Sequence, residues 1–417
     1  MKNLLILGAG TGGTMLANRM RHRLAADWAI SVVDPDRQHL YQPGLLFLPF
    51  GARDEAAMQR ERKRTLRAGV RWVQRAVTAV EPDRRRVKLD DGALLDYDFL
   101  VIASGSRIRP ELTEGLPGAG WRDTTHEFYT LEGAQALRAK LAAFRGGRVV
   151  VNIFEMPIKC PVAPMEFLFL ADHFFKQRGV REQVELVFAT PLDKAFTRPV
   201  CASVLGDMLG KRGIKLETEF VAGSVDGARG VLRSFDEREV PFDLLVAVPT
   251  HSGAEFIHES QLGNELDFVP TDKGTLQMKG QERIFVIGDA TDLPSSKAGS
   301  VAHFQSEILE QNLAAAIAGR DLPARFDGHS NCFVESGAGK AMLIDFNYEV
   351  EPLPGTFPLP GLGPFTLLGE SRINHFGKLG FRWVYWNALL PGRPLPIGPQ
   401  MSMAGKHFPK ETSHAGA

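Results

Sequence analysis

Short, nearly continuous apolar runs recur along the chain at residues 4–7, 30–33, 100–103, 149–154, 184–189, 244–248 and 284–287, separated by stretches with helical periodicity. Runs of this length, apolar on both faces, read as strands buried inside parallel sheets with helices outside, so the expected fold class is α/β. A different pattern appears late. Phe376, Leu379, Trp383, Trp386 and Leu390 recur at helical spacing, with Lys378 and Arg382 on the other side and Phe381 and Tyr385 widening the aromatic content. Such a stripe suits an amphipathic helix lying in a membrane interface.

The order of these runs suggests a chain that enters one sheet, leaves it and returns. Residues 1–110 form a first part, residues 111–240 a second unit with its own strand near Arg148, and residues 241–320 a return to the first sheet through the runs at 242–249 and 283–289. Residues 321–417 differ in composition, with Pro and Gly crowded at 352–364 before the aromatic, basic stripe.

Composition narrows the function. The 417 residues carry 49 Lys+Arg and 49 Asp+Glu, so no net field draws a nucleic acid. Local basic runs, Arg60, Arg62, Lys63 and Arg64 and the triplet Arg84, Arg85 and Arg86, read as solvated faces. Three cysteines cannot build a disulfide framework, so sulfur chemistry has to be local. The 11 histidines show no zinc-type spacing, and no metal is expected. No stretch of 18 apolar residues occurs, so no transmembrane helix is expected. The N-terminal apolar run is short and cut by glycines, which argues against an export signal and favours a cytoplasmic location.

Those glycines have another use. Directly after the first strand, Gly8, Gly10 and Gly13 stand in the spacing G-x-G-x-x-G, and a helical pattern follows from Thr14. The first makes the tight turn, the second lets backbone approach a pyrophosphate, and the third lets helix and strand pack closely. Asp34 ends the second strand 21 residues after Gly13, where a carboxylate accepts hydrogen bonds from ribose hydroxyls and repels a 2′-phosphate.

Two later strand ends, Ala103-Ser104-Gly105 and Gly288-Asp289, resemble the further FAD signatures of the two-dinucleotide-fold flavoproteins. The resemblance implies FAD, with the Asp289 carboxylate on the ribitol chain. The disulfide-reductase design of that superfamily needs a C-x-x-x-x-C pair near residues 40–50. Here that stretch reads HLYQPGLLFLPFG, and Pro43 within it is counted with the cofactor-binding residues. The second unit is equally distinct. After its first strand comes EMPIKCPVAPMEF, with no glycine where a nicotinamide nucleotide would need one.

With KCPVAPME at 159–166, DLPSSKAGSVAHFQ at 292–305 and the late cysteine in HSNCFVESG, the chain resembles the sulfide:quinone oxidoreductases and the flavoprotein subunit of flavocytochrome c sulfide dehydrogenase. The resemblance implies that Cys160 and Cys332 are the redox pair at the flavin, bridged by a disulfide or polysulfide. It further implies that Glu166 moves protons from sulfide, and that FAD is held without a covalent bond, since Gln42, Thr124 and Thr125 stand where relatives carry extra cysteines. Cys201 reads as core packing. A helix from Ala298 to Asn312 would point its N-terminus at the flavin's pyrimidine edge, with Lys297 adding a charge.

The expected activity is therefore sulfide oxidation to sulfane sulfur or polysulfide, with electrons passed to a membrane quinone. The expected setting is peripheral attachment to the cytoplasmic face of the inner membrane, in an enzyme that is a candidate homo-oligomer. Two other classes stand beside it: a sulfide dehydrogenase flavoprotein with a cytochrome acceptor, and a type II NADH:quinone oxidoreductase.

Overall fold

The computed structural model describes residues 2–51 and 55–408, so residues 409–417, the end of the expected C-terminal region, lie outside the described residues. The chain opens with β1 (Lys2–Leu7), α1 (Thr11–Arg23), β2 (Trp28–Val33), β3 (Val70–Val73) and β4 (Phe99–Ile102). Side chains of β1 alternate between two cores. Leu4 and Ile6 pack with Leu16, Met20, Leu309 and Leu313 on one face, whereas Leu5 and Leu7 pack with Val80, Val87 and Ile257 on the other. Burial on both faces explains the unbroken apolar run, and each such side chain contributes about 1.5–3 kcal/mol.

The second unit contains α2 (Leu131–Ala143), β5 (Gly147–Ile153), α3 (Ala163–Gln177), β6 (Val184–Ala189), α4 (Pro199–Lys211), β7 (Lys215–Glu217) and β8 (Leu244–Val248). Its parallel sheet runs in the order Thr125–His126, β8, β5, β6, β7. This corrects the sequence reading of residues 242–249, which assigned them to the first sheet: β8 pairs with β5, Val149 opposite Leu244. A strand apolar on both faces fits the interior of either sheet, so its pattern names no partner. The second unit thus extends past residue 240. The outgoing and returning connections then pair with each other, Arg107–Ile108 antiparallel to His251–Ser252.

The chain re-enters the first sheet as β9 (Ile284–Val286), as the sequence suggests, and completes the parallel order β9, β4, β1, β2, β3. α5 (Gly299–Ile317) follows and packs on α1. The last region forms a four-stranded sheet from β10 (Ser330–Gly337), β11 (Lys340–Phe346), β12 (Gly355–Leu359) and β13 (Gly363–Leu367), in the order β10, β11, β13, β12. α6 (Arg372–Val384) lies against β10 and β11, capped at its start by the Ser371 hydroxyl, which accepts from the Asn374 amide.

The expected amphipathic stripe is only half realised. Ile373, Phe376, Leu379 and Trp383 are exposed on α6, Phe376 at 67% and Trp383 at 68%, but Trp386 and Leu390 are buried. A π-helical turn at Tyr385–Leu389 adds a residue to the turn and rotates the following side chains inward. Trp386 packs edge-on to His39, beneath the Arg60 guanidinium. Among the described residues, no helix is long and apolar enough to cross a membrane.

Candidate active site

The turn between β1 and α1 explains its glycines. Gly8 has φ +98°, and a Cβ there would lie 2.5 Å from the Ala103 carbonyl oxygen; one at Gly13 would lie 1.9 Å from the Gly8 oxygen. At Gly10 a Cβ would meet nothing within 4 Å. The outer glycines are therefore demanded by the fold, and Gly10 faces open space above the start of α1, the place for a pyrophosphate. Asp34 Oδ2 accepts from the Ala9 amide at 2.7 Å and Oδ1 from the Asp36 amide at 3.0 Å, which fixes the carboxylate beside the turn.

Arg62 completes this cradle, and for this residue the reading of the basic run as a solvated face fails, whereas Arg60, Lys63 and Arg64 are exposed. Its guanidinium is buried, 3.1 Å from Asp34 Oδ1, and donates to the carbonyls of Ala9, Asp36 and Gln38. Burial pushes the Asp34 carboxyl upward, and Arg62 opposes that shift. Nothing in the spacing of the basic run distinguishes Arg62 from its neighbours.

Ala103, Ser104 and Gly105 close the far side. The Ser104 and Ser106 hydroxyls are buried without a partner, as is Gln305 Nε2, whose Oε1 accepts from the Gly288 amide at 2.6 Å. Buried polar atoms left open on the walls of a glycine-lined cradle fit a polar cofactor of dinucleotide shape. Asp289 follows Gly288 in the turn after β9 and is half-buried, with no hydrogen bond to its carboxylate among the described residues. Ala298 caps α5 without a side-chain bond, so the first-turn amides of α5 stay free for an electron-rich group. These residues fit FAD.

Lys297 stands directly before the Ala298 cap of α5. Its ammonium donates to the carbonyls of Asp289 and Thr291 at 2.9 and 2.8 Å and lies 3.8 Å from the centre of the Phe268 ring. It braces the turn that carries Asp289, and burial lowers its pKa to about 8.

The loop after β5 turns toward this cradle. Cys160, in the left-handed region with φ +49°, donates its amide to the Lys297 carbonyl at 2.7 Å, and Lys159 reaches Gln42 beside the exposed Pro43 at 3.4 Å. A non-glycine residue held at positive φ costs on the order of 1 kcal/mol and persists only where surrounding contacts enforce it. Cys332 arrives from β10, paired with Ile344, with the Ser300 hydroxyl at its side. Both thiols are free and pack against one core. Burial pushes Cys160 well above the ordinary thiol range, with Glu166 and Cys332 adding to the shift, and raises Cys332 to about 11. Cys201 is fully buried in that core, as expected.

Glu166, on the first turn of α3, is 1% exposed. Its Oε1 accepts from the Glu335 amide at 2.5 Å and from the Lys378 ammonium. Burial raises the Glu166 carboxyl, while Lys378 and that amide pull it back. Lys378 also donates to the Phe333 carbonyl at 3.0 Å, and His375 Nδ1 lies 2.9 Å from the buried Glu335 carboxylate. Glu335, His375 and Lys378 were not singled out as site residues from the sequence, and Lys378 was read as part of the polar face. Tyr129 was missed as well; its hydroxyl is buried without a partner, and Cys160 and Glu166 act on it. Removing one partner of a buried ion pair such as Glu166–Lys378 costs about 3–5 kcal/mol. No cluster able to hold a metal occurs among the described residues.

Comparison with known proteins agrees with this geometry. Residues 2–152 match the pyridine nucleotide-disulphide oxidoreductase family model. The chain is 27% identical to the mitochondrial sulfide:quinone oxidoreductase of Mus musculus over 396 residues, 93% of this chain and 86% of that protein. It is also 27% identical to the corresponding protein of Dictyostelium discoideum, over 94% of this chain and 86% of that one. The crystal structure of the sulfide:quinone oxidoreductase from Aquifex aeolicus superposes with a TM-score of 0.77 at 18% identity, covering 94% of this chain and 92% of that one. Over nearly its whole length, the chain is similar in sequence to the sulfide:quinone oxidoreductases and shares the fold of the Aquifex aeolicus structure, with the pyridine nucleotide-disulphide oxidoreductase model matching its first part.

Proposed function

We propose that the protein is an FAD-dependent sulfide:quinone oxidoreductase. The observation that carries this reading is that Cys160, whose amide bonds the Lys297 carbonyl, and Cys332, beside the Ser300 hydroxyl, both lie by the start of α5 and both interact with the buried Glu166. When bound, FAD supplies the two-electron acceptor between sulfur and quinone.

The protein's own groups do the remainder. In the oxidised pair, Cys160–Cys332 is a disulfide, an electrophile for sulfide; attack yields a persulfide on one cysteine and a thiolate on the other. Glu166 accepts the proton that leaves sulfur. Gly8, Gly10, Gly13 and Asp34 hold the adenosine end of FAD, Pro43, Ala103, Ser104 and Gly105 line its approach, and Gly288, Asp289, Ala298 and the Lys297-braced turn hold the flavin end. The loop at 154–162 offers cysteine and proline where a nicotinamide nucleotide would need glycine, so NADH finds no seat.

Quinone is the acceptor that fits the exposed α6 face. Ile373, Phe376, Leu379 and Trp383 are exposed, as are Leu359 and Leu362 at the tip of the β12–β13 hairpin, and such apolar surface suits peripheral attachment to a lipid surface. The test is anaerobic rapid mixing of the flavin-loaded protein. Sulfide bleaches the flavin absorbance, NADH does not, and quinone in liposomes restores the colour more slowly after Trp383→Ser. Faster bleaching by NADH than by sulfide overturns the reading, and reoxidation by cytochrome c but not by quinone moves it to the sulfide dehydrogenase class.

A further inference from the structure

α6 has two faces with separate business. Its outer face carries Phe376, Leu379 and Trp383 into solvent, yet its inner face sends the His375 imidazole and the Lys378 ammonium, one turn apart, onto two buried acids. Glu335 takes His375, and Glu166 takes Lys378. Lys378 is 13% exposed and is tied at a second point to the Phe333 carbonyl, next in the chain to Cys332. Its ammonium is therefore held by the strand that carries one reactive cysteine and by the acid that faces both.

We propose that Lys378 is a positioning residue that keeps the Glu166 carboxylate charged and aimed at the cysteine pair, ready to take the proton of sulfide. This rests on the sulfide-oxidising reading. In the step concerned, a sulfide S–S bond forms at one cysteine as the disulfide bond breaks. The electron pair of the broken bond stays on the other cysteine as thiolate, and one proton passes from the incoming sulfur to Glu166. A neutral Glu166 cannot perform that step.

The charge balance at Glu166 makes Lys378 decisive. Cys160 faces it from the loop before α3, Cys332 and Glu335 from β10, Tyr129 from the segment before α2, and Lys378 and His375 from α6. Burial and the Glu335 carboxylate both favour the neutral acid, and among the described residues Lys378 is the cation that bonds Glu166 directly. Without it the carboxyl stays protonated to higher pH, by roughly one to three units, the ordinary effect of an adjacent opposite charge.

Two readouts on flavin-loaded protein test this. The first is the infrared band of a protonated carboxyl followed against pH, assigned to Glu166 by its loss when Glu166→Gln is added. In Lys378→Met that band persists roughly one to three pH units higher than in the parent, and in Lys378→Arg it stays near the parent position. The second is the pH profile of flavin bleaching by sulfide, whose acid limb moves by the same amount in Lys378→Met, returns in Lys378→Arg and disappears in Glu166→Gln. The titration of sulfide itself is common to all variants and drops out of the comparison. An unmoved infrared titration in Lys378→Met overturns the positioning role, as does an arginine variant that behaves like the methionine one. If Lys378→Met does not fold, Lys378→Gln replaces it under the same criteria. A parent protein that sulfide fails to bleach at any pH, with the infrared shift still present, overturns the sulfide reading and leaves the Lys378–Glu166 charge coupling standing.

Discussion

The turn after β1 and the turn after β5 occupy equivalent places, each at the carboxyl end of a central parallel strand and each leading toward a helix. In the first, glycines remove side chains so that backbone and a helix N-terminus close on a phosphate. In the second, Met156, Pro157, Ile158 and Cys160 fill the equivalent space, and the loop reaches across to bond the Lys297 carbonyl of the first unit. On the proposed function, one strand-turn-helix plan yields a cofactor cradle or a carrier for reactive sulfur, depending on whether the turn is stripped of side chains or furnished with them.

The sharpest break of this comparison is at the sulfur. Cys160→Ser or Cys332→Ser is expected to slow sulfide-driven flavin bleaching by on the order of a thousandfold or more, with flavin content retained, measured by anaerobic rapid mixing. Bleaching at the parent rate in both variants would make the second turn an ordinary loop.

Next come the glycines, which separate fold from cofactor. Gly13→Ala drives a methyl group into the Gly8 carbonyl, so thermal unfolding should show a loss of about 1–3 kcal/mol together with lost flavin. Gly10→Ala meets no protein atom, so the apoprotein should unfold as the parent does while flavin affinity falls about tenfold or more. Equal stability loss in both variants would mean that Gly10 serves packing.

A last contrast, visible only on the acid side, compares two buried histidines. His39, against the Ala9 carbonyl, and His251, at the crossover, are both lowered by burial from 6.5 to about 3. Between those values the unfolded chain binds a proton that the folded chain does not, so stability rises with pH and falls as pH drops from about 6.5 toward 3. Each contributes a slope of about 1.4 kcal/mol per pH unit in that window. His39→Gln and His251→Gln should each flatten the acid limb of a denaturation series by one such slope; an unchanged slope shows that the ring is already charged in the native state.

Much of the fold was legible because its signals are local. β1, the glycine turn, Asp34 and the Gly288-Asp289 turn are read from neighbours within a few residues, and the structure places them at one cradle. Strand β8 was assigned to the wrong sheet because its five apolar residues fit either interior equally well. Trp386 and Leu390 left the expected lipid-facing stripe because a single π-turn, which no periodicity count reveals, changed their direction. Arg62 and Lys378 looked like solvated cations because sequence position says nothing of a buried acid brought from 28 or 212 residues away.

The sequence by itself determined the α/β class, the dinucleotide turn with its acid, the absence of a second glycine turn, and the two cysteines proposed to carry the chemistry. These rest on backbone conformations and residue types whose meaning is local. Only the tertiary structure decided which sheet owns β8, which face of α6 meets solvent, and that Glu166 shares its charge with Lys378 beside both thiols. Each of those depends on contacts between distant segments, where burial and charge pairing, rather than spacing along the chain, fix what a side chain does.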